Sequence, residues 1–344
     1  MQGAQTRVVA VEPKADVAPI VVATVPRVVA ARRLTYQIAG ELYTNHKMSF
    51  PRIGLTVGDP SGIGPEIADK AANDPRVKSV CEPVLYGPSE VERRKFSPGV
   101  GCPEGGQASY EAVKSATIDA LEGRLDAITT APINKAAWAE AGLPWRGHTE
   151  LLAVLTETPS VAMMFYSKRL RVVLATVHVP ISDVPALLTE DRLERTIELA
   201  ASTLPRFGFK KPRLALAGLN PHAGECGLIG REELATLTPA VSTCRSRGID
   251  VTGPLPADTV FIRALKGEFD AVIACYHDQG LIPVKMMAFG QAVNVTLGLP
   301  IVRTSVDHGT AYDIAGTGAA DPSSMVEAVC LAARLTSSNR VSHD

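Results

Sequence analysis

From residue 52 onward, short β-branched runs alternate with longer amphipathic stretches, and this rhythm constrains the chain more than any other feature. A strand, a helix and a second parallel strand form a unit that packs a helix on a sheet; repeated, such units give an open sheet with helices on its faces. Strands are predicted at 52–58, 83–87, 125–131, 170–178, 212–220, 269–277 and 292–299. Helices are predicted at 64–73, 107–122, 134–142, 150–157, 190–204, 231–247, 258–266 and 322–336. Aromatic residues are only 5% of the chain, so Val, Leu, Ile and Ala must build the core. No linker marks a boundary, which favours two interleaved α/β domains, 48–140 with 305–344 and 141–304. Residues 1–47 carry no usable period and are expected to be a disordered extension, with Met48 as the expected start.

The chain holds 35 basic and 36 acidic side chains, a balance that argues against a nucleic-acid partner. No run approaches the roughly 20 apolar residues that span a bilayer, so no membrane segment is expected. The six cysteines are irregularly spaced and form no C-x-x-C pair. Free thiols in a reducing cytoplasm are therefore expected, rather than disulfides or a zinc–thiolate site.

Three of the seven histidines follow predicted buried strands: His178 ends VVLATVH, His222 follows LALAGLNP and His277 ends AVIACYH. Ligands of open α/β sheets bind at the carboxyl ends of strands. Three imidazoles converging there would hold a divalent metal with positions left open for substrate. Asp183, Glu225 and Asp278 lie close enough in sequence to orient the rings, or are solvated loop carboxylates.

Other polar residues punctuate the pattern. His148 and Thr149 open a predicted helix, where free N–H groups suit an anion, or Thr149 simply caps it. Lys285, Asn294 and Arg303 interrupt an apolar stretch; either an anionic substrate group pairs the two cations or their side chains reach the surface. Gly58 to Glu66 (GDPSGIGPE) joins a strand to a helix without forming a dinucleotide or Walker fingerprint. The polar loop from Asp307 to Gly316 has no assignable role from its residues alone.

Taken in order, the segments GLTVGDPSGIGPEI, TAPINK, GHTELLA, LNPHAGE, GPLPADTVF, YHDQG, VNVTLGLP and RTSVDHGTAYDIAGTG resemble the 4-hydroxythreonine-4-phosphate dehydrogenase family of pyridoxal phosphate biosynthesis, from about residue 52 to 335. The resemblance implies a three-layer α/β/α fold like that of isocitrate and isopropylmalate dehydrogenases, with the active site in a cleft between two domains. It implies a cytoplasmic homodimer with shared active sites, metal ligands coming from both subunits. By motif match, His178, His222 and His277 hold the metal, which is zinc, cobalt, manganese or magnesium. His148, Thr149, Lys285, Asn294 and Arg303 hold a small phosphorylated substrate, and Lys285 is the candidate for proton transfer. His308, Gly309, Thr310, Asp313 and Gly316 lie near an NAD or NADP cofactor. The implied reaction is oxidation of 4-phosphooxy-L-threonine with decarboxylation to 3-amino-2-oxopropyl phosphate. The extension 1–47 and a short 88–105 connection depart from the family pattern. They leave open a related substrate, such as a phosphorylated four-carbon sugar acid or an aromatic cis-dihydrodiol. The three histidines alone would also suit a metal-dependent hydrolase, and the polar residues alone a phosphometabolite-binding protein.

Overall fold

The computed structural model describes residues 50–288 and 290–341; the expected extension 1–47 and start at Met48 lie outside them. Ten strands are present: β1 (Arg52–Thr56), β2 (Glu82–Tyr86), β3 (Ala127–Thr130), β4 (Ala162–Tyr166) and β5 (Arg171–Leu174), then β6 (Leu214–Ala217), β7 (Val251–Leu255), β8 (Ala271–Ala274), β9 (Val293–Leu297) and β10 (Val302–Ser305). They form one sheet in the order β2-β1-β3-β10-β9-β4-β5-β8-β6-β7, which runs through residues of both expected domains. The helices are α1 (Gly64–Asn73), α2 (Pro75–Lys78), α3 (Glu90–Arg93), α4 (Pro103–Leu121), α5 (Lys135–Glu140) and α6 (His148–Leu155). They continue as α7 (Val184–Leu187), α8 (Glu190–Thr203), α9 (Thr238–Ser246), α10 (Ala257–Leu265), α11 (His277–Ala288) and α12 (Ser323–Val341).

Side chains alternate across each strand, so neighbouring residues belong to different layers. Ala127, Val173, Leu214, Leu216, Ala271 and Ile273 join one long cluster with α1, α8, α9 and α12. Ile128 packs on the opposite face with α4, α5 and α6. Val172, Ala215 and Val272 share that opposite face with α10 and α11. The result is three layers, with one face under continuous apolar cover and the other under two separate clusters.

The strands are not all parallel. Strands β2-β1-β3-β10 and β5-β8-β6-β7 form two parallel blocks. Between them β9 runs antiparallel to β10 and β4, and β4 antiparallel to β5. The β4–β5 connection is a tight hairpin in which the Leu170 N–H donates to Ser167 Oγ at 3.0 Å. Strands β4, β7 and β10 lie outside the predicted set: β4 is AMMFY with no β-branched residue, β7 contains Gly-Pro, and β10 is the polar VRTS. Helix α11 was likewise unpredicted because Pro283 interrupts it, although Leu281, Val284 and Ala288 line its buried side.

The glycines of the 58–66 loop have a packing role. Gly58 has φ +66°, and a Cβ there would stand 2.1 Å from the Pro132 carbonyl oxygen. A Cβ on Gly64 would stand 2.1 Å from that of Val57. The ends of β1 and β3 can therefore meet, sealed by the Asp59 N–H donating to the Pro132 carbonyl at 2.9 Å. Gly58→Ala is expected to destabilise the fold by about 2 kcal/mol or more through left-handed strain and the clash; a urea denaturation midpoint equal to that of the parent would contradict this.

Candidate active site

Because β5, β8 and β6 are adjacent and parallel, the loops bearing His178, His277 and His222 leave the same edge of the sheet. His178 and His277 face each other with ring centroids 5.5 Å apart. His277 Nδ1 donates to Asp278 Oδ1 at 2.6 Å, and His222 Nδ1 donates to Glu225 Oε2 at 3.1 Å. An ionised carboxylate only accepts, so these contacts put the proton on Nδ1 and leave the Nε2 lone pairs available. Asp183 instead accepts from Ser182 Oγ at 3.0 Å. This donor set fits a divalent cation. Among the described residues of one chain, however, no group of three His, Cys, Asp or Glu side chains comes close enough to hold an ion. All six cysteines are free.

A second feature lies between the two apolar clusters of the opposite face. There Asn294 pairs with Phe165 of one cluster and Arg303 with Ile128 of the other, so β9 and β10 present a polar strip in the gap. Arg303 is only 3% exposed. Its Nη1 donates to Thr296 Oγ1 at 3.0 Å and its Nη2 to Thr130 Oγ1 at 2.7 Å. Among the described residues no carboxylate is hydrogen-bonded to it, and burial pushes its guanidinium down to about 9, still cationic at neutral pH. Arg303 Nε, His148 Nε2 and Asn294 Oδ1 are buried without hydrogen-bond partners. Each such orphan costs on the order of 1–3 kcal/mol. Two of them, Arg303 and Asn294, lie on this strip, and the Arg303 charge acts on His148.

His148 is the first residue of α6, and its ring packs edge-on to Trp138 at 6.0 Å. Burial, then the charges of Arg303 and Lys135, hold its imidazole well below 6.5. Thr149 does not cap this helix: Gly147 occupies the cap position and supplies no side chain, leaving Thr149 in the first turn. Lys135 is a further cation at this point. Its Cε lies 3.6 Å from the place a Gly147 Cβ would occupy, and its charge also lowers the His178 imidazole, after burial and ahead of His277. The signal for Lys135 was its place at the end of TAPINK, directly after β3. Of the two readings of Lys285 the structure shows the surface one, because α11 turns it to solvent beside Ile282 and Met286.

The loop from His308 to Gly316 is tied to both earlier loops. Tyr312 donates its hydroxyl to Asp59 Oδ2 at 2.5 Å and accepts from Asn134 Nδ2 at 2.5 Å. Burial and the Asp59 carboxylate push the phenol above its ordinary range. The Ile63 N–H donates to the Thr310 carbonyl at 2.9 Å. His308, Gly309, Asp313 and Gly316 are exposed, and a side chain at Gly309 would meet nothing within 4 Å, so a planar ligand has room to approach.

Comparison with known proteins gives this architecture a class. A 4-hydroxythreonine-4-phosphate dehydrogenase of Desulforapulum autotrophicum is 45% identical, over 85% of this chain and 98% of the relative. A D-threonate 4-phosphate dehydrogenase of Pectobacterium atrosepticum is 40% identical, over 82% of this chain and 98% of the relative. The crystal structure of a 4-hydroxythreonine-4-phosphate dehydrogenase from Klebsiella pneumoniae superposes with a TM-score of 0.77 at 39% identity, covering 84% of this chain and 98% of that one. The chain is thus a dehydrogenase of α/β/α architecture. It belongs to the family described as pyridoxal phosphate biosynthetic protein PdxA, whose profile matches residues 29–332. That match starts ahead of residue 52, so part of the 1–47 segment does have a counterpart in the family. Among the described residues no helix is long and apolar enough to cross a membrane.

The depressed His148 has a measurable consequence. Folded, it binds a proton less readily than the unfolded chain, whose imidazole titrates near 6.5. As pH falls through about 6.5 the unfolded state takes up the proton first, so stability drops with acid. A His148→Gln variant is expected to show a shallower loss of unfolding free energy between pH 6.5 and 5; an unchanged slope would contradict the assignment.

Proposed function

We propose that this chain oxidises 4-phosphooxy-L-threonine at its C3 hydroxyl, with loss of the carboxylate as carbon dioxide to give 3-amino-2-oxopropyl phosphate. The observation that carries this reading is the buried, uncompensated Arg303 with the neighbouring orphaned polar atoms, a site made for an anionic end of a small molecule. Arg303 and Asn294 bind that end, with His148 and Thr149 at the start of α6 and Lys135 beside them. A neutral His148 accepts or donates one hydrogen bond without adding charge. His178, His222 and His277 would hold a divalent cation (zinc, cobalt, manganese or magnesium), which would supply polarisation of the substrate oxygen, and NAD or NADP would supply the hydride acceptor. Hydride loss from C3 creates a ketone β to the carboxylate, so the C1–C2 bond breaks with its electrons directed towards that ketone, and C2 is then protonated. Lys285 is the candidate to move these protons. The loop His308–Gly316, pinned through Tyr312, borders the cofactor.

Several features support a homodimer with shared sites and a cleft between lobes 48–140 plus 305–344 and 141–304. Leu228, just after the turn that carries His222, is 84% exposed, and Met286, on α11 with His277, is 81% exposed. Large apolar side chains left exposed beside ligand-bearing segments favour a protein partner. Lys285, on the same helix as Met286, would then serve a site completed by the second subunit. A cytoplasmic location fits the free thiols.

D-threonate 4-phosphate is the second reading, favoured by the relative named for it. The two molecules share the carboxylate, the C3 hydroxyl and the phosphate, and differ in carrying an amine or a hydroxyl at C2. Absorbance of the reduced cofactor, followed with each compound, NAD+ and added divalent ion, separates them: turnover is expected with 4-phosphooxy-L-threonine, and activity on neither ends the proposal. His222→Ala is expected to abolish turnover and metal retention while circular dichroism stays unchanged; full activity would remove the histidine site from the account.

A further inference from the structure

His222 sits in a turn whose backbone is strained. Residues His222, Ala223, Glu225 and Cys226 all have positive φ, between 43° and 55°, with Gly224 at 78° among them. A left-handed conformation costs a non-glycine residue about 1–2 kcal/mol, so the turn persists only if its surroundings over-determine it. Two polar side chains tie down the backbone around it.

The first is Glu233, a carboxylate only 3% exposed at the start of a π-helical turn, Glu233–Leu237. Its Oε1 accepts the Asn220 backbone N–H at 2.7 Å and its Oε2 accepts from Asn220 Nδ2 at 2.9 Å. The turn lies so close that a Cβ on Gly224 would stand 2.6 Å from Glu233 Oε2. The second is Gln279, which uses both ends of its amide. Its Nε2 donates to the Gly218 carbonyl at 2.7 Å, and its Oε1 accepts the Cys275 N–H at 2.6 Å. Gln279 thereby ties the end of β6, four residues before His222, to the end of β8, two residues before His277. Over that junction the turn folds back until a Cβ on Gly218 would meet Ala223 Cα at 2.8 Å.

We propose that Glu233 and Gln279 are positioning residues that fix the His222 turn on the ends of β6 and β8, presetting the imidazole to bind a divalent cation. This rests on the reading that His178, His222 and His277 hold that cation. Neither side chain needs to touch the cation; each acts through the backbone that carries the ligand. A buried carboxylate with amide partners alone is an expensive way to stabilise a surface turn, and its use here follows from the need to hold one ring in one place.

The test is calorimetric titration of cobalt(II) into the full metal-free chain, comparing the parent with Glu233→Gln, Gln279→Met and His222→Ala. Loss of a residue that orients a ligand lowers metal affinity roughly 10–100-fold. That decrease is expected in Glu233→Gln and Gln279→Met, with metal-free melting temperatures near the parent's and with turnover restored by raising cobalt(II). A purely structural role would lower the melting temperature, and excess metal would not restore turnover; that result overturns the proposal. Parent-like cobalt(II) affinity in both variants, while His222→Ala loses binding, also overturns it. Parent-like affinity in His222→Ala as well overturns the cation reading itself, and the positioning role with it. If Glu233→Gln does not fold, Gln279→Met decides by the same criteria.

Discussion

A guanidinium with no hydrogen-bonded carboxylate sits in the middle of the sheet, and much of the site follows from accommodating it. Desolvating an unpaired cation costs several kcal/mol, and threonine hydroxyls from β3 and β9 offset only part of that. Burial, and then this charge and that of Lys135, depress the nearby His148 imidazole, so a neutral ring lies beside Arg303 and Lys135. An apolar face would have closed over β9 and β10. Instead the cover on this side divides into two clusters, and the strip between them stays polar.

The second centre is built by topology. Three consecutive parallel strands deliver three histidines to one edge, and carboxylates beside two of them set which ring nitrogen is free. Four non-glycine residues of the His222 turn have positive φ, and the buried Glu233 accepts the Asn220 N–H beside it. Fold stability and site geometry therefore pull against each other at both centres, which is the usual mark of functional positions.

The regular units were legible because period and composition agreed: the α1 and α8 starts match their expected bounds, and all seven predicted strands exist. Histidines at strand ends were legible for the same reason, since a polar residue after a buried run has few other places to lie. What escaped the pattern escaped it physically. Strand β10 is short and carries Arg303, so local hydrophobicity does not announce it. The antiparallel pair β9–β4 depends on long-range pairing that no local signal encodes. Lys285 lies outside because the apolar run containing Pro283 folds as an amphipathic helix, the surface placement being one of the two readings its sequence allowed. Glu233 and Gln279 hydrogen-bond to Asn220 and Gly218, 13 and 61 residues away, contacts that only the folded chain displays.

The central claim is that Arg303 is kept for an anionic substrate at a cost to the free protein. Replacing it with methionine separates binding from stability: Arg303→Met should leave the metal-free, ligand-free protein at least as stable in urea, because an apolar isostere removes the desolvation penalty. The same variant should bind 4-phosphooxy-L-threonine, measured by calorimetry, about 30-fold or more weakly, corresponding to loss of a charge-assisted interaction worth roughly 2 kcal/mol or more. A variant that is markedly destabilised yet binds the substrate as the parent does would show that Arg303 is structural and contradict the account.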